Sequence, residues 1–195
     1  MVEINLLRSL PKGKRNVKMR STAKTDEHIR ISKQYGQMYF DGPREYGYGG
    51  YKYDGRWIPV AKDIIKHFNL NKNDKVLDVG CGKGFLVKDL VSFGIDAYGI
   101  DISQYAIDHC EKEVVERLKI GSADHLTFPD NSFNAVISIN TIHNLPKEKC
   151  LKAVREIERL APGKSFIQVD SYRNEKQKKI FESWVLTAKF HGFPS

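Results

Sequence analysis

The residues best suited to chemistry sit in DVGCGKG, residues 78–84, where an acid is followed by glycines at alternate positions. The run closes the apolar stretch KVLDVG (75–80) and opens FLVKDLVSFG (85–94), so it reads as a turn from strand to helix. Glycine at such a turn lets the backbone approach a ligand that a Cβ would repel. A dinucleotide fingerprint needs GxGxxG. Gly80 and Gly82 fit it, but Phe85 occupies the third position and Gly84 comes one place early, so the spacing is GxGxG and NAD is not expected. About twenty residues beyond the first glycine, Asp101 ends the strand part of AYGIDIS (97–103), where nucleotide sites place a ribose-binding carboxylate. A carboxylate accepts from both ribose hydroxyls at once, which suits it to that task.

A second group of reactive types gathers around the ends of two later apolar runs. Asn140 ends FNAVISIN (133–140), and Thr141, His143 and Asn144 follow it; Asp170, Ser171, Tyr172 and Arg173 stand at the end of KSFIQVDS (164–171) or just beyond. His143 is the candidate general base, because an imidazole titrates near neutrality. The alternative is a histidine packed behind the site. His28, His67, His109 and His191 fall on predicted helices without metal-ligand partners at useful spacing, and no metal is expected. Cys81, Cys110 and Cys150 are odd in number and widely spaced, which excludes a complete disulfide framework or a CxxC metal pair and suits a reducing, cytoplasmic setting. Cys81, inside the glycine loop, reads as a tolerated small residue and not as a nucleophile.

These groups need a scaffold, and from residue 75 the sequence supplies one. Short apolar runs over 75–80, 97–103, 119–124, 133–140 and 164–171 alternate with helical patterns over 85–94, 104–117, 147–160 and 174–190. Such alternation predicts an α/β fold with a mainly parallel sheet and helices on both faces, whose ligands sit at the carboxyl ends of the strands. Upstream, a helix is expected near 25–39, capped by Thr25 or Asp26, and a second from Pro59 through Val60, Ala61, Ile64, Ile65 and Phe68. Between them lies YGYGGYKYDGRW (46–57), too rich in glycine for a helix or a buried strand and too aromatic for a solvated linker. The chain thus divides into a basic N-terminal arm (1–24), a helical and aromatic-glycine segment (25–74) and a main domain (75–195).

The formal charge of +8 is unevenly placed. Seven Lys and Arg against Glu3 give residues 1–24 a net +6 and leave +2 for the rest, so the basicity belongs to the arm. A solvated, partly disordered tail is expected there, with contact to an anionic substrate or nucleic acid as the alternative. No apolar run approaches the length of a membrane helix, so no membrane insertion is expected.

Asp78 with its GxGxG loop resembles the first motif of the class I S-adenosylmethionine-dependent methyltransferases. Asp101 and the stretch GSADHLTFPDNSFNAVISINTIHNLP (121–146) are similar to the next two parts, in the same order and spacing. PDNSFNAV in particular looks like a run common in small-molecule methyltransferases, including the quinone-biosynthesis branch, although Asn134 stands where the family usually has Asp. The resemblance covers residues 75–170 and implies a Rossmann-like, doubly wound sheet of strand order 3-2-1-4-5 with S-adenosyl-L-methionine as cofactor. By that resemblance Asp78 serves the methionyl ammonium or its hydration shell, and Gly80, Cys81, Gly82 and Gly84 leave room for the methionyl chain. Asp101 would hold the ribose, Ile102 would pack on adenine, and Asp124 would accept from the exocyclic amine with Ala123 and His125 flanking the ring. Asn140 would belong to the cofactor pocket. The family's sheet usually ends in an antiparallel hairpin for which HGFPS leaves no residues, so the fifth strand is expected near an open edge.

In this fold the segment before the first strand commonly folds over the pocket. YGYGGYKYDGRW is therefore expected to act as a lid, with Tyr48, Tyr51, Tyr53, Arg56 and Trp57 gripping the acceptor. A static brace is the alternative. The acceptor is expected to be a small molecule above the fourth and fifth strands, near His143, Asp170, Tyr172 and Arg173; an anionic one would use the basic residues and Arg173. Two other functions stay open: an RNA or protein methyltransferase using the basic arm, weakened by the lack of an NPPY-type motif, and a non-catalytic S-adenosylmethionine-binding protein.

Overall fold

The computed structural model describes residues 4–10 and 21–188. Ahead of the sheet the described residues include the helices α1 (Asp26–Ser32), α2 (Gln37–Phe40) and α3 (Ile58–Phe68). The main run is then β1 (Lys75–Val79), α4 (Phe85–Ser92), β2 (Asp96–Asp101), α5 (Gln104–Asp108), a 3-10 stretch (Lys112–Arg117) and β3 (Leu118–Ile120). It continues as β4 (Ala135–Ile139), a 3-10 turn (Ile142–Asn144), α6 (Lys147–Leu160), β5 (Ser165–Gln168) and α7 (Glu175–Trp184).

The five strands form one sheet in the order β3-β2-β1-β4-β5, and all neighbouring pairs are parallel. This is the expected order. The chain winds outward from β1 to β3, then crosses back to place β4 on the other side of β1, which opens a crevice at the strand ends between them. The central strands β1 and β4 are buried along nearly their whole length, as strands covered on both faces are. On one face Val76 joins Ala135 and Ile137 beneath α3 and α4; on the other Leu77, Val79 and Val136 meet α6. Helix α6 presents Cys150, Ala153, Ile157 and Leu160 to that core at helical spacing.

Several elements differ from expectation for local reasons. The helix expected over 25–39 breaks in two at Tyr35 and Gly36, where Tyr35 takes a left-handed φ of 49°. Thr25 caps α1 as expected, its hydroxyl accepting the His28 N–H at 3.2 Å. The helix expected over 104–117 is only α5 followed by the 3-10 stretch, and β3 and β5 are shorter than their apolar runs. Asp170 therefore lies beyond β5 and not within it. The arm is not solvated along its whole length: Leu6 is 6% exposed and belongs to the core under α3 and α4. Most of the arm's positive charge falls on residues 11–20, outside the described residues, as do the last residues of the expected final helix and His191. Among the described residues β5 pairs with β4 alone.

Candidate active site

A cavity of about 450 Å³ opens at the carboxyl ends of β1, β2 and β4, within the range usual for small-molecule sites of about 300–1,000 Å³. Its floor includes Asp78, Gly80, Asp101 and Asn140, and its roof Tyr35, Tyr51 and Trp57. Ile102, Ala123, Cys81, Gly82, Tyr48 and Arg56 also reach it. Twelve separate expectations from the sequence thus converge on one cavity.

Asp78, next to last in β1, has 5% of its surface exposed, and its carboxylate accepts no hydrogen bond from any described residue. Burial, reinforced by the negative charge of Asp101, pushes its carboxyl up to about 7. A buried carboxylate facing a cavity with no partner of its own is an invitation to a cation. Asp101 is held instead: its Oδ2 accepts the Gly82 N–H at 2.7 Å and its Oδ1 accepts the Ser103 N–H at 2.8 Å. Burial raises this carboxyl, and the backbone donors oppose the rise without cancelling it. Each oxygen keeps a further lone pair for a ligand hydroxyl.

The glycines serve the protein's own packing. At Gly80 (φ 86°) a Cβ would collide with the Thr141 side chain, and at Gly84 (φ 77°) it would lie 2.6 Å from Leu118 Cδ1. At Gly82 (φ 55°) it would press on the Tyr51 ring at 3.2 Å. Gly84 does not line the cavity; it lets α4 settle against β3. Burial pushes the Cys81 thiol well up, in keeping with an inert residue.

At the other end of the floor, Ser122 and Ala123 line the cavity but Asp124 and His125 do not. Asp124 accepts a short hydrogen bond from the Ser122 hydroxyl and faces Lys149 at 3.7 Å, which together hold its carboxyl below the ordinary range. His125 is exposed. Beyond β4, Asn140 takes a left-handed φ of 56° while its N–H donates to the Gln168 carbonyl at 2.9 Å. Such a conformation at a site wall is the kind of strain that surrounding structure must hold. His143 stands one residue from the wall formed by Asn144 and Leu145, with Nδ1 buried and unpartnered. Burial lowers its pKa and the charge of Asp170 opposes this. Asp170, Tyr172 and Arg173 do not line the cavity, and the Arg173 N–H turns to the Gln177 side chain at 2.8 Å.

The roof is the aromatic-glycine segment. Tyr51 stacks on Phe85 at 4.6 Å between centroids, Tyr48 lies 4.3 Å from Tyr51, and Phe40 stacks on Tyr105 at 6.3 Å. Tyr53 departs from this group and does not line the cavity: its hydroxyl donates to the buried Asp89 Oδ1 of α4 at 2.5 Å, and Lys88 sits over its ring at 4.3 Å. Tyr35, Tyr39 and Phe40 join the cavity wall unannounced by the sequence pattern, which places Tyr35 and Tyr39 in one continuous helix and Phe40 just past its end. The glycine at position 36 was the available signal that the chain turns there.

A family model described as a methyltransferase domain matches residues 77–167. A sterol 24-C-methyltransferase of Gibberella zeae is 30% identical, over 80% of this chain and 47% of its own length. A 2-methyl-6-phytyl-1,4-hydroquinone methyltransferase of Synechocystis is 28% identical, over 79% of this chain and 55% of its own. The crystal structure of the PH0226 protein of Pyrococcus horikoshii aligns with a TM-score of 0.50 at 25% identity, over 71% of this chain and 62% of that one. The chain spans about half the length of the curated relatives it matches. With the sheet order and the glycine loop, these matches identify residues 77–167 as a methyltransferase domain of the class I, S-adenosylmethionine-dependent kind.

Proposed function

We propose that this chain binds S-adenosyl-L-methionine and transfers its methyl group to a small-molecule acceptor. The observation that carries the proposal is Asp78, a buried carboxylate without a hydrogen-bond partner among the described residues, placed beside the ribose-type carboxylate Asp101 in one cavity. A ligand with an ammonium at one end and a vicinal diol nearby fits that pair, and a pyrophosphate would be repelled by it. Bound there, S-adenosylmethionine supplies a methyl group on a sulfonium, open to in-line displacement. Asp78 would hold its ammonium, Asp101 its ribose, and Ile102 and Ala123 its adenine, with Asp124 behind Ser122 at the adenine edge.

The chain's remaining task is to align an acceptor and exclude water. The roof rings do this, and they favour an apolar acceptor. Arg56 lines the cavity paired with Asp54 at 2.8 Å, and Arg173 lies off it. The two curated relatives named above are, by name, methyltransferases of a sterol and of a phytyl hydroquinone. Incubation with S-adenosylmethionine and candidate pools of apolar metabolites should release S-adenosylhomocysteine, and NAD should not bind.

Two further results are expected here. Asp101→Ala should cost about 2–3 kcal/mol of S-adenosylhomocysteine affinity through two lost charge-assisted hydrogen bonds; calorimetry showing unchanged affinity would remove Asp101 from the ribose. For the roof, amide exchange across residues 46–57 should slow when S-adenosylhomocysteine binds, since a ligand gives the rings apolar surface to cover. Trp57→Ala should then raise the acceptor's KM several-fold while leaving cofactor affinity nearly unchanged. Equal protection of this segment with and without ligand would make it a static brace.

A further inference from the structure

We propose that Asp41, between α2 and the aromatic loop, is a positioning residue for the cofactor's ribose, clamping together the two loops that orient Asp101. The inference rests on the cofactor assignment above. Asp41 Oδ2 accepts from the Lys83 ammonium at 2.6 Å and from the Tyr105 hydroxyl at 2.7 Å, and its Oδ1 accepts the Tyr51 N–H at 3.1 Å. Lys83 lies inside the glycine loop, next to Gly82; Tyr105 lies on α5, two residues beyond Ser103. Gly82 and Ser103 are the two residues whose N–H groups hold the oxygens of Asp101. One carboxylate from upstream of the sheet therefore spans both walls of the ribose site, and it also sets Tyr51 over Gly82.

The geometry makes this clamp costly to lose. The Lys83 side chain is 10% exposed, and Asp41 is its carboxylate partner among the described residues. A buried ammonium without that partner would seek water and pull the glycine loop with it. A second tie, from the Ser103 hydroxyl to the Tyr35 carbonyl, keeps the upstream segment docked independently of Asp41. Loss of the Asp41 charge should thus loosen the ribose site without releasing the whole segment.

Asp41→Asn keeps the size of the side chain and removes its charge. The test compares S-adenosylhomocysteine with its 2′-deoxy analogue by calorimetry. Wild type should bind the analogue much more weakly, because one hydroxyl of the pair held by Asp101 is missing. Asp41→Asn should weaken S-adenosylhomocysteine at least tenfold and shrink the preference for it over the analogue. Asp41→Glu, which retains the charge, should recover part of both. A merely structural role would weaken both ligands alike and leave their ratio unchanged, and that result overturns the inference. Should Asp41→Asn fail to fold, Tyr105→Phe removes one bond at the partly exposed side of the clamp and must shift the ratio in the same direction. Wild type that does not bind S-adenosylhomocysteine overturns the cofactor assignment and this inference with it; wild type that binds while the ratio stays fixed in the variants overturns the inference alone.

Discussion

Asp78→Asn is expected to weaken S-adenosylhomocysteine binding by roughly 10²–10³-fold, the 3–5 kcal/mol scale of removing one partner of a buried ion pair, while raising the melting temperature of the free protein. The two effects share a cause. In the free protein the Asp78 carboxyl is buried beside Asp101 and is pushed up to about 7, against an ordinary value of 3.8. A group whose folded-state value is raised contributes stability that is complete below its unfolded value and is lost as pH rises through the folded one. The window here runs from about pH 4 to pH 7, and above it the ionised carboxylate is a burden on the fold. The amide relieves that burden and forfeits the charge that a ligand ammonium needs. The same logic gives the wild-type affinity a pH dependence of opposite sign: at pH 6 roughly a tenth of Asp78 is ionised, so affinity should rise about tenfold from pH 6 to pH 8.

His143→Ala should lower turnover by about 10²–10⁴-fold, the range of a general base, with cofactor affinity almost unchanged. Burial holds this imidazole below its ordinary pKa of 6.5, so it is neutral and able to accept a proton at pH 7, and Asp170 would stabilise the imidazolium that forms. The acid limb of the wild-type rate profile should vanish in the variant. Near-normal turnover across pH 6–9 would leave alignment as the chain's whole contribution and make His143 a packing residue behind Asn144.

What was legible in the sequence was local. The alternation of apolar runs and helices specified the sheet, and the glycine spacing with Asp101 one strand later specified part of the floor of the cavity, because both lie within one strand-helix-strand unit. What escaped it depends on distant segments meeting. Asp41 reaches Lys83 and Tyr105 across 42 and 64 residues, and no periodicity announces such a pairing. Composition groups Tyr53 with the roof, yet the buried Asp89 of α4 captures its hydroxyl away from the cavity. The helix break at Tyr35 and Gly36 brought three unexpected rings to the wall. Gly80 and Gly84 are required by neighbours that sequence spacing does not show, Thr141 and Leu118, and Gly84 lies off the cavity.

The central claim is a cofactor cavity built for an ammonium beside a ribose. It is tested most directly by calorimetric titration of the wild-type protein with S-adenosylhomocysteine at pH 6 and pH 8, with NAD in parallel. Saturable binding that is about tenfold tighter at pH 8, with no heat from NAD, is the predicted result. No saturable binding of S-adenosylhomocysteine, or an affinity indifferent to pH across that interval, would contradict it.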